Sequence, residues 1–146
     1  MNSSDRPFVP FPHIVIPVME EGEPTAAMGL ACSLGGQVTL VGLVCIASPE
    51  EISAGTQAAR RLRKKMDVLR DQAHFTGHNL LRVSHTPWND LQLLLAENLP
   101  DLLILEEPGH FRCLGVTPSE ALTTPICNTV LVRGPWPAQP VFRRRF

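Results

Sequence analysis

Apolar residues recur along the chain in two rhythms. Short runs of aliphatic and β-branched residues appear at "HIVIPV" (13–18), "QVTLVGLVCIA" (37–47), "NLLRVS" (79–84), "DLLILE" (101–106) and "TVLVR" (129–133). Nearly continuous apolar runs of this length mark strands that are covered on both faces. Between them, apolar positions return every three or four residues, the helical period. A first helix is expected at "TAAMGLACSL", with Pro24 in its first turn, Ala27, Leu30, Ala31 and Leu34 on one face, and Gly35 and Gly36 stopping it. A long helix is expected from about Ser53 to Thr76: Leu62, Met66, Leu69 and Ala73 share one face, and Gly77 closes the pattern. A third covers "PWNDLQLLLAENL", with Leu91, Leu94 and Leu95 inward and Asn89 or Asp90 near its cap. "TPSEAL" opens a short helix in which Thr117 caps, Pro118 takes the first position and Glu120 the third, close to a capping box. The stretch before it, with Gly109 and Gly115, reads as a loop between strand and helix.

Five strands alternating with helices over short connections predict an α/β protein: a three-layer, doubly wound, five-stranded parallel sheet joined by right-handed crossovers. One domain is expected over residues 13–134. A Pro/Phe-rich tail (1–12) precedes it, and a tail rich in proline, arginine and aromatic residues (135–146) follows it.

Composition narrows the function classes. The net charge of −1 lacks the basic excess of a nucleic-acid binder, so no nucleic-acid partner is expected. No apolar run approaches the roughly 18 residues of a membrane span, and "MNSSDRPFVPFPH" is not read as a secretory signal. Cys32, Cys45, Cys113 and Cys127 show neither CxxC nor framework spacing and are expected as reduced, mostly buried thiols of a cytoplasmic protein.

"IVIPVMEEGEP", "QVTLVGLV", "NDLQLLLAENLPDLLILEEPG" and "LGVTPSEALTTPICNTVLVR" together resemble the universal stress protein (UspA-like) domain over about residues 13–134. The resemblance implies strand order 3-2-1-4-5 in an adenine nucleotide alpha hydrolase-like fold. It also implies an ATP or AMP site in many members, and dimers formed through the last strand, here Thr129–Arg133. The nucleotide-binding members carry an aspartate at the end of the first strand, where this chain has Met19. They also carry a G-x2-G-x9-G-[ST] loop after the fourth strand. Here Gly109 and Gly115 are separated by five residues, the paired glycine is absent, and Val116 stands where the hydroxyl residue would be. Under the nucleotide-binding alternative, Gly109, Gly115, Val116 and Thr117 would supply the contacts.

Charge points the same way as the altered motif. In an open α/β sheet the ligand site lies beyond the carboxyl ends of the strands, at the switch in strand order. Glu20, Glu21 and Glu23 on one side, with Glu106 and Glu107 on the other, would oppose a polyphosphate there. Carboxylates are also ligands for divalent cations, but solvated strand-end glutamates are the expected reading. His74 and His78, and the lone His110-x2-Cys113, fall short of a ligand set, and no metal site is expected. "RRLRKK" (60–65) is expected as a solvated face, with docking to an acidic partner as the other reading. No nucleophile–base arrangement is legible and no enzyme activity is expected.

Six of the fourteen prolines lie in the two tails, beside Phe8, Phe11, Trp136, Phe142, Arg143, Arg144, Arg145 and Phe146. Proline keeps such segments extended and aromatic residues supply anchor area. The sequence therefore predicts an accessory or regulatory subunit that works by protein contact without a cofactor. Its partner would be its own copy or a larger complex reached through the tails, with peripheral association at the cytoplasmic face of a membrane complex as one setting. The alternative is an ATP- or AMP-binding stress protein with an atypical pocket.

Overall fold

The structure, a computed structural model, describes residues 8–123 and 125–134. Trp136, Phe142, Arg143, Arg144, Arg145 and Phe146 lie outside the described residues. The elements run β1 (His13–Met19), α1 (Thr25–Leu34), β2 (Gln37–Cys45), α2 (Ile52–Ala73), β3 (Asn79–Ser84), α3 (Pro87–Asn98), β4 (Leu102–Glu107), α4 (Gly109–Leu114), α5 (Pro118–Thr123) and β5 (Asn128–Arg133). A 3-10 turn at Pro49–Glu51 leads into α2. The five strands form one parallel sheet in the order β3-β2-β1-β4-β5.

The period-two alternation of β1 sends its side chains to two different cores. Ile14, Ile16 and Val18 face α1 and α2, packing with Ala27, Ala31, Leu62, Met66 and Leu69. Val15 and Met19 face the other way, with Leu91, Leu95, Phe111 and Leu114 of α3 and α4. Buried runs such as "VTLVGLV" in β2 are the consequence of this double covering. Gly42 of β2 leaves room for α2: a β-carbon there would lie 2.5 Å from Met66 Sδ.

Three local readings change. Helix α2 ends at Ala73 with His74 in the left-handed region (φ 56°), its amide donating to the carbonyls of Arg70 and Asp71. Gly77 (φ 117°) therefore does not close the helix. It serves the next connection, where a β-carbon would sit 2.5 Å from the Val38 carbonyl oxygen. The N-cap of α3 is Thr86, followed by Pro87, rather than Asn89 or Asp90. The stretch after β4 is not an open loop: residues 109–114 form helix α4, burying His110, Phe111 and Leu114. Among the described residues no disulfide forms, and Cys32, Cys45, Cys113 and Cys127 are each only partly buried.

At the N-terminal end, Phe11 packs against the α1–α2 core, whereas Phe8 is 86% exposed. The Pro12 carbonyl accepts from Gln37 N–H at 2.9 Å, tying the arm to the start of β2. No helix among the described residues is long and apolar enough to cross a membrane.

Candidate functional site

The switch in strand order lies between β1 and β4, and the two strands pair there only briefly. Their register covers Ile14↔Leu102 and Val15↔Leu103, while β1 follows β2 along its full length, from His13↔Gln37 to Met19↔Leu43. Pro17 is one reason for the early parting, because proline has no N–H to contribute to a ladder. Beyond it the carboxyl ends of β1 and β4 flank a pocket lined by Met19, Glu21, Gly22, Glu23, Pro24, Glu106, Gly109 and His110.

His110 fills the gap between the strands. Its Nε2 lies 2.7 Å from the Pro17 carbonyl of β1, and its Nδ1 lies 2.8 Å from the Glu106 amide nitrogen of β4. A carbonyl can only accept and an amide N–H can only donate, so the ring is the neutral tautomer with its proton on Nε2. The imidazole thus supplies the donor that the Pro17 carbonyl needs and the acceptor that the Glu106 amide needs. Burial pushes its pKa down to about 4, only partly opposed by the bond to the Pro17 carbonyl. With both nitrogens engaged, the ring offers no free lone pair as a base.

Glu106 turns inward as well. Helix α1 begins after Pro24, which provides no side-chain cap. Glu106 reaches across from β4, and its Oε1 accepts from the Ala27 amide at 2.9 Å. A carboxylate at this end of a helix satisfies an orphan donor and complements the dipole. Burial raises the pKa of Glu106 despite the opposing effect of the Ala27 and Ala26 amides. The chain therefore places its own anion at the helix start that faces the switch point.

The five carboxylates anticipated at this edge consequently separate. Glu107 pairs with Arg133 of β5 at 3.3 Å, Glu106 caps α1, and Glu20, Glu21 and Glu23 are exposed. Among the described residues no group of three or more metal-ligating side chains comes together. The remaining pocket has a cavity volume of about 60 Å³, against roughly 300–1,000 Å³ for sites that enclose drug-sized ligands.

Of the four residues expected to hold a nucleotide, only Gly109 lines this pocket. Gly115 (φ 74°) ends α4, its amide donating to the Phe111 carbonyl at 3.1 Å. Val116 packs on the α3–α4 core. The Thr117 amide donates to Glu120 Oε1 at 3.0 Å, and the Glu120 amide donates to Thr117 Oγ1 at 3.1 Å. This reciprocal capping box takes up the Thr117 amide, one of the two donors that Thr117 would offer a phosphate, and a lone pair of its hydroxyl.

The basic run on α2 also divides. Arg60, Arg61, Arg63 and Lys64 are exposed. Lys65 instead folds over the loop after β1, its Nζ donating to the carbonyls of Met19 (3.0 Å), Glu20 (3.1 Å) and Gly22. One turn and a half further on, Arg70 donates to the Val38 and His78 carbonyls and to Asn79 Oδ1, binding α2 to β2 and β3. On the other side of the site, Cys45 Sγ lies 3.7 Å from the Cys113 carbonyl oxygen. Burial, with smaller contributions from Cys113 and Glu20, pushes the Cys45 thiol up to about 11.

Neither a protein-family model nor a curated protein matches the sequence. Solved structures do resemble the fold. A universal stress protein in complex with cAMP is 16% identical and has a TM-score of 0.56, the likeness covering 84% of this chain and 97% of that one. A universal stress protein family member from Burkholderia pseudomallei is 16% identical with a TM-score of 0.60, covering 86% and 98%. One from Arabidopsis thaliana with AMP bound is 13% identical with a TM-score of 0.56, covering 88% and 98%. The strand order and flanking helices match these neighbours, and the chain has the universal stress protein fold.

Proposed function

We propose that this chain is a non-enzymatic accessory or regulatory subunit that acts by protein contact and has given up nucleotide binding at the switch point. The observation that carries the reading is the Glu106 carboxylate on the Ala27 amide. An anionic ligand entering here meets a half-buried carboxylate where it would need donors, and desolvating like charges together is unfavourable. His110 across the strand gap, Met19 at the end of β1 and the small pocket support the same conclusion.

The contact surfaces in this reading are the outer edge of β5 and the two tails. β5 is an edge strand whose Thr129, Val130 and Leu131 are only partly buried, so its unpaired backbone side suits addition of a strand from a second copy or a related domain. Phe8, exposed beside the arm, is an anchor on the N-terminal side. The setting is cytoplasmic. Native mass spectrometry of the full chain after mild extraction tests the reading. A stoichiometric assembly without nucleotide is the expected result, and a chain that carries ATP or AMP overturns it.

The second reading, an ATP- or AMP-binding stress protein with an atypical pocket, is favoured by the cAMP and AMP in two neighbours of this fold. It requires Glu106 to release Ala27. It predicts that AMP or ATP raises the melting temperature of the full chain, as any ligand that binds only the folded state must.

A further inference from the structure

Arg60, Arg61, Arg63 and Lys64 stand exposed on the outer side of α2, and none has a carboxylate partner among the described residues. Asp67, the next acidic residue on the helix, is turned to β3, where its Oδ1 accepts from Asn79 Nδ2 at 3.0 Å. The loop after β1 presents the opposite charge. Glu20, Glu21 and Glu23 are exposed and likewise form no ion pair among the described residues. Lys65 joins the two: its ammonium group holds the carbonyls of Met19, Glu20 and Gly22, so the acidic loop is fixed against the helix that carries the basic stripe. Arg61 and Lys64 lie one turn before Lys65 and beside it, and Val68, 53% exposed, continues the same flank one turn beyond Lys64.

A surface with an acidic lobe fixed beside a basic one is complementary to itself when turned through a two-fold axis. From this we infer that α2 and the loop after β1 form an isologous interface between two copies of the chain, the glutamate loop of one seated on the arginine stripe of the other. A closed two-fold contact of this kind needs each patch to carry both halves of the match, and the chain carries both. Its energy comes from many exposed charge pairs, each weak, so the contact is expected to be salt-sensitive, while Val68 adds a small apolar contribution. It lies on a different element from the β5 edge and does not depend on the state of the switch point.

Sedimentation velocity on the full chain tests the interface, read as the association step that salt removes. At about 1 mM chain, where weak complexes are half formed, raising the ionic strength from about 0.02 M to about 0.5 M shortens the Debye length to a few ångströms and is expected to weaken this step at least tenfold. R60E/R61E/R63E/K64E alone and E20K/E21K/E23K alone should each abolish it, and mixing the two variants should restore it as a heterodimer. E20Q/E21Q/E23Q, which removes charge without reversing it, should weaken the step and gives a second route if a reversed variant fails to fold. A chain without a salt-sensitive step, or a step that survives both reversals, overturns the inference. A step lost in both variants but not regained on mixing also overturns it, because the two halves would then not meet each other.

Discussion

Replacing His110 with phenylalanine tests how the switch point is held together. The ring shape is nearly kept, so little cavity forms, but the Glu106 amide loses its acceptor and the Pro17 carbonyl its donor. The residue is only 4% exposed, so water cannot readily replace either bond. Orphaning a buried donor or acceptor costs roughly 1–3 kcal/mol each, which gives an expected loss of about 2–6 kcal/mol for His110→Phe at pH 7. Titration supplies an independent check. The imidazole is held neutral, with its pKa lowered to about 4 in the fold against the ordinary 6.5 of a free imidazole. A base whose folded pKa is depressed contributes its full stability above the unfolded pKa and loses it as pH falls through the folded value. At about 1.4 kcal/mol for each unit separating the two values, roughly 3 kcal/mol should disappear between pH 6.5 and pH 4. Urea unfolding of the wild type and His110→Phe, at half-unit intervals from pH 7.5 to pH 4, measures both effects. The gap between the two proteins should be widest near neutrality and should shrink as pH falls. A gap under about 1 kcal/mol at pH 7, or one that stays constant with pH, would refute the assignment of His110 as a neutral bridge between β1 and β4.

Three further outcomes follow from the same structure. Gly77→Ala forces a side chain into positive φ and within 2.5 Å of the Val38 carbonyl, so thermal or chemical unfolding should show a loss of roughly 2–4 kcal/mol. Lys65→Met keeps much of the aliphatic stem but removes the ammonium from three carbonyls. Amide hydrogen exchange in residues 20–25 should accelerate severalfold, at a stability cost of about 1–2 kcal/mol. Cys45, with its thiol pushed up to about 11, should react with iodoacetamide at pH 8 far more slowly than a free thiol, since the thiolate is the nucleophile. Labelling at the free-thiol rate would contradict its burial.

The fold was legible because each strand centres on a short cluster of aliphatic residues and each long helix has a clear apolar face. "NLLRVS" shows how far this goes: its limits coincide with those of β3. The Thr117 capping box was also readable, since it depends only on residues three apart. Helix α4 was not, because a six-residue helix that starts on one glycine and stops at another is too short for periodicity to show. In retrospect His110, Phe111 and Leu114 form one helical face. The closing of α2 by His74 rather than Gly77 was equally hidden, as histidine enters the left-handed region more readily than most residues. At the site, sequence order placed five glutamates at one edge but could not show which way each would turn. The helix start that draws in Glu106 and the arginine that takes Glu107 are brought there by folding. His110 and Lys65 act through backbone groups of β1 and the loop after it, partners that no side-chain motif encodes.

Isothermal titration calorimetry of AMP and ATP into the purified full chain, with Glu106→Gln alongside, measures whether the switch point takes a nucleotide. With Glu106 holding the start of α1, the wild type is expected to show no binding at nucleotide concentrations up to about 1 mM. Glu106→Gln, which keeps an oxygen for Ala27 and removes the buried charge, should remain folded. Stoichiometric binding of AMP or ATP to the wild type at micromolar concentration would contradict the account, because Glu106 would then have to leave the Ala27 amide to the phosphate.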